Sequence, residues 1–356
     1  MKKICFFLPN LQVGGAEKVI CYIANLLVKS SYNIDIIAVN DFNNSISEIN
    51  EKIRIINLSS KKTIFSFFKF LRYVYTEKPD VVISTFNNTS YISSIIKLIF
   101  YRKLKLIIRK PISPLYNLGI IDSLYKLFNP FVHSVADHIV VPSSEMYKDL
   151  HKAGVFYKRK LVFIPNPLNQ ANIISLSKKK EVNFITGPYI IMVARLEKQK
   201  DFNTIIHAYV KVKEKIDIKM LILGEGSLRN SLEKKIKFLG LEKNILLPGF
   251  VKNPYYYIKN SEVFILSSFA EGSPNSLQQA ICLKKKIVAT DCKYGPRELL
   301  MNGKLGHLTP IGNIELMSES IIKMLRSNDN IVLSEEYLNN YGDDFILYKY
   351  MNLFDE

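Results

Sequence analysis

Short apolar runs alternate with longer amphipathic stretches along the whole chain. Runs rich in β-branched residues begin at Lys3, Ile34, Asp80, Lys105, His138 and Leu161 in the first half, and at Tyr189, Lys219, Ile245, Val263 and Lys286 in the second. Such runs are typical of buried parallel strands, and each is followed by a polar or helical stretch. Because this alternation occurs twice, it predicts two doubly wound α/β domains.

The gap between the two sets of strands gives the predicted domain boundaries. We predict a first Rossmann-like domain over residues 1–168 and a second over 188–333, joined by a polar, irregular linker at 169–187. The tail, 334–356, is predicted to form a helix that packs back towards the first domain. A chain of 356 residues with 48% hydrophobic residues can bury two such cores.

Open α/β sheets bind ligands beyond the carboxyl ends of their strands, so the strand-to-helix loops carry the candidate site residues. Gly14 and Gly15 follow the first strand, and their backbone can approach a phosphate or a sugar hydroxyl closely. A tight turn explains the same pair equally well. The loop lacks the full GxGxxG fingerprint, which argues against an NAD enzyme.

Three loops of the second half carry cations or glycines. Arg195 and Lys200 follow one strand and can flank a diphosphate, although exposed loop cations are common. The next two loops offer possible nucleotide contacts that structural turns would explain as well, at Gly224, Gly249, Phe250 and Val251.

Glu271 precedes a predicted helix, in a loop of small residues. A carboxylate near the start of a helix is stabilised by about 0.3–1 kcal/mol, and this alone accounts for the acid. It does not account for the neighbouring Gly272, Ser273, Pro274 and Asn275. These leave backbone amides open to a phosphate, while the carboxylate can bind a sugar diol.

Charge, cysteine content and the length of the apolar runs limit which partners, metals and cellular compartments the protein can have. The chain has 49 basic and 32 acidic residues, a net charge of +17 that favours anionic partners. Four cysteines without a CxxC pair suit a reducing cytoplasm, and no Asp-x-Asp lies in a suitable loop, so we expect no metal. No apolar run reaches membrane-spanning length, which predicts a protein that is soluble or rests on a membrane surface.

Six motifs in register resemble a known family. They are "GGAE" at 14–17, "ARLEKQKDF" at 194–202, "LGEGSLR" at 223–229, "LPGFVKN" at 247–253, "FAEGSPNSLQQA" at 269–280 and "TDCKYGPREL" at 290–299. Together they resemble a retaining, family-4-type (group 1) glycosyltransferase of bacterial surface polysaccharide biosynthesis. The resemblance implies the GT-B architecture, with two Rossmann-like domains facing across a cleft.

The resemblance also implies roles for individual residues. Arg195 and Lys200 would grip the nucleotide diphosphate, Glu271 would meet hydroxyls of the donor sugar, and the amides of residues 273–275 would neighbour the phosphates. The Gly14-Gly15 loop would close over the same donor. The donor, most often a UDP-sugar in this family, is a substrate, and no cofactor is expected.

Gln279 departs from the family pattern, which places a second Glu there to bind the ribose hydroxyls. An amide keeps a hydrogen-bond acceptor but loses the charge. The expected loss is about 1–2 kcal/mol, or roughly ten-fold in donor affinity. The resemblance therefore implies a weakened donor site that still turns over.

The first domain is expected to bind the acceptor. After the strand that begins at Lys105, the acceptor-side candidates are Arg109, Lys110 and Ser113. The window 61–110 contains eleven basic and two acidic residues, a net charge of +9. Within it the helical spacing places an apolar set on one face, Ile64, Phe67, Phe68, Leu71, Val74 and Tyr75. This face can lie in an anionic membrane interface or can cover the core.

We expect transfer of a hexose or N-acetylhexosamine to a lipid-linked oligosaccharide or a lipopolysaccharide-type acceptor, at the cytoplasmic face of a bacterial plasma membrane. A nucleotide-sugar epimerase of the same architecture is an alternative, and so is a catalytically weak partner subunit, because of Gln279. Nucleic-acid binding is not expected, since the basic window lacks any recognised reading motif.

Overall fold

The computed structural model describes residues 1–11, 14–40, 49–111, 131–153, 160–328 and 331–355. The chain divides into two compact units. The first unit comprises Met1–Pro167 together with Asn340–Glu356, and the second comprises Leu168–Asn339. Each unit is built on its own parallel sheet, which confirms the predicted fold class of two doubly wound α/β domains.

The sheet of the first unit has seven strands in the order β3-β2-β1-β4-β5-β6-β7. The strands are β1 (Lys3–Leu8), β2 (Asn33–Ala38), β3 (Arg54–Asn57), β4 (Val81–Thr85), β5 (Lys105–Arg109), β6 (His138–Val141) and β7 (Leu161–Phe163). Its central strands are apolar and buried on both faces, as parallel strands covered by helices must be.

Helices cover both faces of this sheet. Those described are α1 (Gly15–Lys29), α2 (Phe67–Glu77), α3 (Asn87–Ile95), α4 (Ser144–Ala153) and, from the end of the chain, α13 (Asp343–Asp355). A 3₁₀ turn, Thr63–Ser66, leads into α2, and a π-helical segment, Ile96–Phe100, continues α3. The last helix belongs to this core, because Ile346 and Tyr350 are buried in the same apolar cluster as Phe6 and Ile107.

The sheet of the second unit has six strands in the order β10-β9-β8-β11-β12-β13. They are β8 (Tyr189–Val193), β9 (Lys219–Leu223), β10 (Ile245–Gly249), β11 (Val263–Leu266), β12 (Lys286–Thr290) and β13 (His307–Thr309). The helices are α5 (Gln170–Ser177), α6 (Phe202–Lys213), α7 (Arg229–Phe238), α8 (Tyr255–Asn260), α9 (Asn275–Cys282), α10 (Pro296–Leu299), α11 (Ile314–Arg326) and α12 (Glu335–Asn340).

The strand orders reverse at one point in each sheet, between β1 and β4 in the first unit and between β8 and β11 in the second. Ligands of open α/β sheets bind beside such reversal points, because the loops on either side diverge and leave room at the carboxyl edge. The two loops that matter most in the second unit therefore follow β8 and β11.

Three features differ from the sequence prediction. The edge strands β3 and β13 were not predicted, because four and three residues are too few to show a period. The segment predicted to be an irregular linker contains α5, whose Asn169 side chain caps its first turn by accepting from the amide of Asn172 at 3.2 Å.

The third difference is the orientation of α2. The structure buries Phe70, Tyr73 and Val74, of which only Val74 belongs to the predicted apolar set. Phe70 stacks on Phe7 of β1 with ring centroids 3.8 Å apart. The hydroxyl of Tyr73 donates to the carboxylate of Asp35 at 2.6 Å. Because α2 is apolar on two sides, periodicity alone could not identify the side that faces the sheet.

Candidate active site

The loops that follow β8 and β11 are joined by backbone hydrogen bonds. Lys200 and Ser268 form an antiparallel bridge. The amide of Asp201 donates to the carbonyl of Ser267 at 3.0 Å, and the amide of Phe269 donates to the carbonyl of Gln199 at 2.9 Å. These bonds hold the two loops side by side at the reversal point of the second sheet.

Lys200 and Glu271 form an ion pair at this junction. Their side chains are only 12% and 7% exposed. The hydroxyl of Ser268 also donates to the same Glu271 carboxylate oxygen, at 2.7 Å. A charge that is largely removed from water must be paired or hydrogen-bonded, and here the carboxylate is both. The pair is therefore fixed in place by the fold of the two loops.

The surroundings of the pair are polar but sheltered. The hydroxyl of Thr290, at the end of β12, accepts from the amide of Ser268 and donates to its carbonyl, both at 2.9 Å. Burial, with a smaller contribution from the charge of Glu271, raises the pKa of the neighbouring Cys292 to about 12. Cys292 is therefore a neutral, unreactive thiol beside the ion pair.

Arg195 begins the same loop but has different surroundings. Its side chain is exposed, and within the described part of the chain it has no hydrogen bond or ion pair. Two residues later, Glu197 accepts from the amide of Ser227 at 3.0 Å and from its hydroxyl at 2.7 Å. This bonding lowers the pKa of the Glu197 carboxyl and joins the Arg195 loop to the loop after β9.

The glycine-containing loops pack backbone against backbone. Gly224 follows β9 with φ of +147°, and a Cβ built on it would lie 1.8 Å from the carbonyl oxygen of Ala194. No other residue fits there, so Gly224 is required by the contact with the Arg195 loop. Gly249 ends β10, and after it Phe250 is 48% exposed and Val251 is half-buried.

The loop before α9 is held close to the turn after β12. Gly272 and Pro274 are buried, while Ser273 and Asn275 are half-buried. Gly295, with φ of +101°, lies against Pro274. A Cβ built on Gly295 would be 2.5 Å from the Cδ of Pro274, so a larger residue would not fit at this position. The amide of Glu271 donates to the carbonyl of Lys293 at 3.1 Å.

Gln279 lies on the second turn of α9 and is half-buried. Among the described residues its side chain makes no hydrogen bond, and unlike the neighbouring Gln278 it is not fully buried. Its amide group is therefore available to a ligand that approaches the carboxyl edge of the sheet.

In the first unit, the reversal point between β1 and β4 is also distinctive. Gly14 caps the start of α1 in an extended conformation, and Gly15 is the first residue of that helix. Across the reversal point, Phe86 begins α3 with φ of 73° and ψ of 156°, a region that is almost confined to glycine. Such backbone strain is concentrated at binding sites and active sites.

The acceptor-side candidates lie beyond β5. Arg109 is fully buried, donates to the side chain of Asn166, and lies beside Tyr350 of α13, where its charge opposes the larger effect by which burial raises the pKa of Tyr350. Lys110 is buried too, and its ammonium donates to the amide oxygen of Asn87 at 2.9 Å. Ser113 lies outside the described residues.

Burial lowers the pKa of Lys110 to about 8. The neighbouring His133 has its pKa lowered to about 3, first by burial and then by the charge of Lys110. This imidazole is neutral at physiological pH.

The structure thus brings Lys200 and Glu271 into contact and places Gln279 on the helix that follows them. Sequence reasoning missed Ser268 and Thr290, although the paired serines at the end of "VFILSS" were a signal for them. It also missed Phe86, whose strain depends on backbone conformation and leaves no mark in the sequence.

Two family models together cover nearly the whole chain. Residues 174–344 match "Glycosyl transferases group 1" and residues 13–171 match "Glycosyltransferase Family 4". Among solved structures, TarM of S. aureus, a mutant bound to Fondaparinux, alpha-GlcNAc-glycerol and UDP, is similar over 100% of both chains, with a TM-score of 0.75 and 15% identity. That likeness supports the GT-B fold.

Relatives with curated names agree with the family models. An uncharacterized glycosyltransferase of Methanocaldococcus jannaschii is 32% identical over 70% of this chain and 66% of its own length. The N-acetylgalactosamine-N,N'-diacetylbacillosaminyl-diphospho-undecaprenol 4-alpha-N-acetylgalactosaminyltransferase of Campylobacter jejuni is 30% identical over 92% of this chain and 91% of its own length. The chain therefore belongs to the group 1 glycosyltransferases, with a family 4 domain on its amino-terminal side, and is a transferase of the GT-B fold.

Proposed function

We propose that the protein transfers a hexose or N-acetylhexosamine, with retention of configuration, from a UDP-linked donor to a lipid-linked glycan. The observation that carries the proposal is the buried Lys200–Glu271 pair at the reversal point of the second sheet. One partner can bind a phosphate and the other a sugar diol, so the two halves of a nucleotide sugar match the two charges.

The chemistry proposed for this site depends on the leaving group. As the bond between the anomeric carbon and the phosphate oxygen breaks, negative charge develops on the diphosphate. Lys200, Arg195 and the start of α9 at Asn275 stabilise that charge, and electrostatic stabilisation of this kind is the largest contribution in many enzymes. The acceptor oxygen bonds to the anomeric carbon on the same face, and its proton passes to the departing phosphate oxygen.

In this mechanism cationic side chains neutralise the leaving group, and we propose that no metal is needed. Glu271 holds donor-sugar hydroxyls, and the backbone N–H groups of Gly272, Ser273 and Asn275 donate to the phosphates. The exposed Phe250 and the adjoining Gly249 and Val251 contact the base. Gln279 binds the ribose as a neutral acceptor, at a cost of roughly ten-fold in affinity relative to a carboxylate.

We propose that the first unit binds the acceptor. Lys110 and the strained turn at Phe86 follow the adjacent strands β5 and β4, so they share one edge of the sheet. The Gly14–Gly15 turn contributes backbone amides at the same reversal point. A lipid-linked acceptor is favoured by the Campylobacter jejuni relative, whose name specifies a diphospho-undecaprenol substrate. Such an acceptor requires action at a membrane surface, which we place on the cytoplasmic side.

No helix among the described residues has the length and apolarity needed to cross a bilayer. We therefore propose a peripheral attachment through the basic window 61–110. In the structure Arg109 and Lys110 are buried and cannot contribute to it, while Lys61, Lys62, Lys69, Arg72, Lys78, Arg102 and Lys103 are exposed.

The test is a donor screen with the purified chain, in which nucleotide release is measured with UDP- and GDP-sugars, with and without a polyprenyl-diphosphate glycan. We expect release from a UDP-sugar that depends on the acceptor, resists EDTA, and yields a product whose anomeric configuration matches the donor. The Lys200→Ala variant should release nucleotide at least about 10²-fold more slowly. Sugar isomerisation without an acceptor would identify an epimerase, and neither release nor transfer would identify a silent subunit.

A further inference from the structure

Exposed apolar side chains are concentrated at one place in the first unit. They come from the 3₁₀ turn, from α2 and from the π-helical segment, and we call them the aromatic patch: Ile64, Phe65, Phe68, Tyr75, Ile99 and Phe100. Phe68 is 78% exposed and Ile64 is 71% exposed. Single exposed apolar residues are ordinary, but a group of this size marks an interaction surface.

The patch continues from α2 to the π-helical segment. The ring of Phe67 lies 5.3 Å from that of Phe68 and 6.1 Å from that of Phe100, measured between centroids. The hydroxyl of Tyr75 donates to the backbone carbonyl of Phe100 at 3.1 Å. These contacts hold the π-helical segment against α2, so the exposed side chains of the two elements lie next to one another.

The fold does not need this surface for its own core. The sheet-facing side of α2 is formed by Phe70, Tyr73 and Val74, all buried. In the π-helical segment Ile96 is buried, while Leu98, Ile99 and Phe100 are exposed. Both elements thus carry a second apolar face that packing within the unit leaves open to water, at a free-energy cost that a partner would recover.

The surroundings of the patch are basic. The exposed Lys61 and Lys62 precede its 3₁₀ residues, the exposed Arg72 lies on α2 between Phe68 and Tyr75, and the exposed Arg102 and Lys103 follow its π-helical residues. The two acids of the window 61–110 are engaged elsewhere. Glu77 pairs with Lys3 and Arg54, which lowers its pKa to about 2, and Asp80 accepts from the amide of Lys3 at 2.7 Å. An anionic partner would therefore meet little repulsion from negative charge here.

We propose that the aromatic patch inserts into the interface of an anionic lipid bilayer, with the surrounding cations on the headgroups. Aromatic and aliphatic side chains in a basic setting are the composition of interfacial membrane anchors. A second copy of the chain is a poorer partner, because an isologous contact would bring two basic rims together. The inference refines the membrane attachment in the proposed function and does not depend on the identity of donor or acceptor.

The absence of tryptophan from the sequence allows a direct test. Phe68→Trp and Ile99→Trp each place a single fluorophore in the patch, and Phe238→Trp places one at an 89% exposed site of the second unit. With phosphatidylcholine vesicles containing phosphatidylglycerol, we expect a blue shift of emission and quenching by brominated lipid for the two patch variants. Phe238→Trp should show neither effect.

Loss-of-binding variants separate insertion from charge. The double change Phe68→Ser with Ile99→Ser should weaken vesicle flotation by at least about ten-fold, and the matched control Phe238→Ser should not. Lys61→Ala and Lys62→Ala should each weaken flotation about five-fold at low salt only. Nucleotide release measured without vesicles should stay unchanged in all of these variants. A failure of donor chemistry can therefore be distinguished from a failure of membrane binding.

Three outcomes would overturn the proposal. Flotation with an unshifted emission at residues 68 and 99 would mean that charge alone holds the protein. A failure of the unmodified protein to float on anionic vesicles would exclude the membrane as the partner. A blue shift without vesicles that grows with protein concentration would identify a second copy of the chain as the occupant.

Discussion

Lys200 and Lys110 are both cations at the carboxyl edge of a parallel sheet, one in each unit, but their partners differ. Lys200 is paired with the carboxylate of Glu271. Lys110 donates to the neutral amide of Asn87, and no carboxylate is paired with it in the described part of the chain. The adjoining Arg109 likewise donates to a neutral group, the side-chain oxygen of Asn166.

The difference shows what each cation can do. A buried ammonium with a counter-ion can exchange the carboxylate for a phosphate without facing an apolar environment alone. An ammonium with a neutral partner loses part of its charge at physiological pH, which the lowered pKa of Lys110 reflects. The second unit is thus equipped for an anionic ligand, and in the first unit Arg109 is used chiefly to hold the structure together.

The largest effect is expected from breaking the Lys200–Glu271 pair. Lys200→Ala should lower kcat by about 10²–10³-fold, because it removes a fixed charge that stabilises the leaving diphosphate. The exposed Lys198 of the same loop provides the control, since Lys198→Ala should leave kcat within about two-fold. Steady-state nucleotide release measures both variants, and a Lys200→Ala enzyme with nearly normal kcat would refute the assigned role.

The second-largest effect is expected from removing a buried cation of the first unit, Arg109. Arg109→Ala should destabilise the first unit by about 3 kcal/mol, because it leaves a cavity beside Tyr350 and removes a donor from the side-chain oxygen of Asn166. The exposed Arg102 gives the matched control, where alanine should cost less than about 0.5 kcal/mol. Urea unfolding followed by circular dichroism measures both, and equal midpoints would show that Arg109 does not hold α13 in place.

A smaller effect should follow from adding charge to the donor side. Gln279→Glu should lower the KM for the donor about ten-fold with kcat unchanged, since a carboxylate binds hydroxyls more strongly than an amide does. Gln279→Met is the isosteric control without an acceptor, and it should raise KM. An unchanged KM in Gln279→Glu would remove Gln279 from the donor site.

The smallest effect is a pH dependence centred on the environment of Lys110. The pKa of His133 in the folded protein is about 3, below its ordinary value of 6.5, so the unfolded chain takes up the proton first as pH falls. Stability should therefore fall by about 1 kcal/mol per pH unit below 6.5. The slope should be measured between pH 6.5 and 4.5. At lower pH Glu77 contributes as well, because its pKa falls from 4.5 in the unfolded chain to about 2 in the folded protein.

His133→Gln should remove this slope, while His207→Gln, at a half-buried position, should leave most of it. Urea midpoints at several pH values measure the slope. The same slope in the wild-type protein and in His133→Gln would show that other groups cause it.

Much of the candidate site could be predicted because the two loops are rich in small and charged residues that follow recognisable strands. Lys200 and Glu271 each stood out within a local motif. Their contact could not be derived from either motif, because it depends on β8 and β11 being neighbours although they are separated by two other strands in sequence. The same reason hid Ser268 and Thr290, which bond groups supplied by another loop.

By itself the sequence determined the two sheets, the alternation of strands and helices, and the loops that could hold a ligand. These features are local, because the periodicity of apolar residues and the turn-forming residues act over a few positions. Only the tertiary structure decided which side of α2 packs on Phe7, which cation keeps a counter-ion, and that Arg109 is buried. Those outcomes depend on partners distant in the chain, such as Tyr350 for Arg109 and Glu271 for Lys200, and no local pattern specifies them.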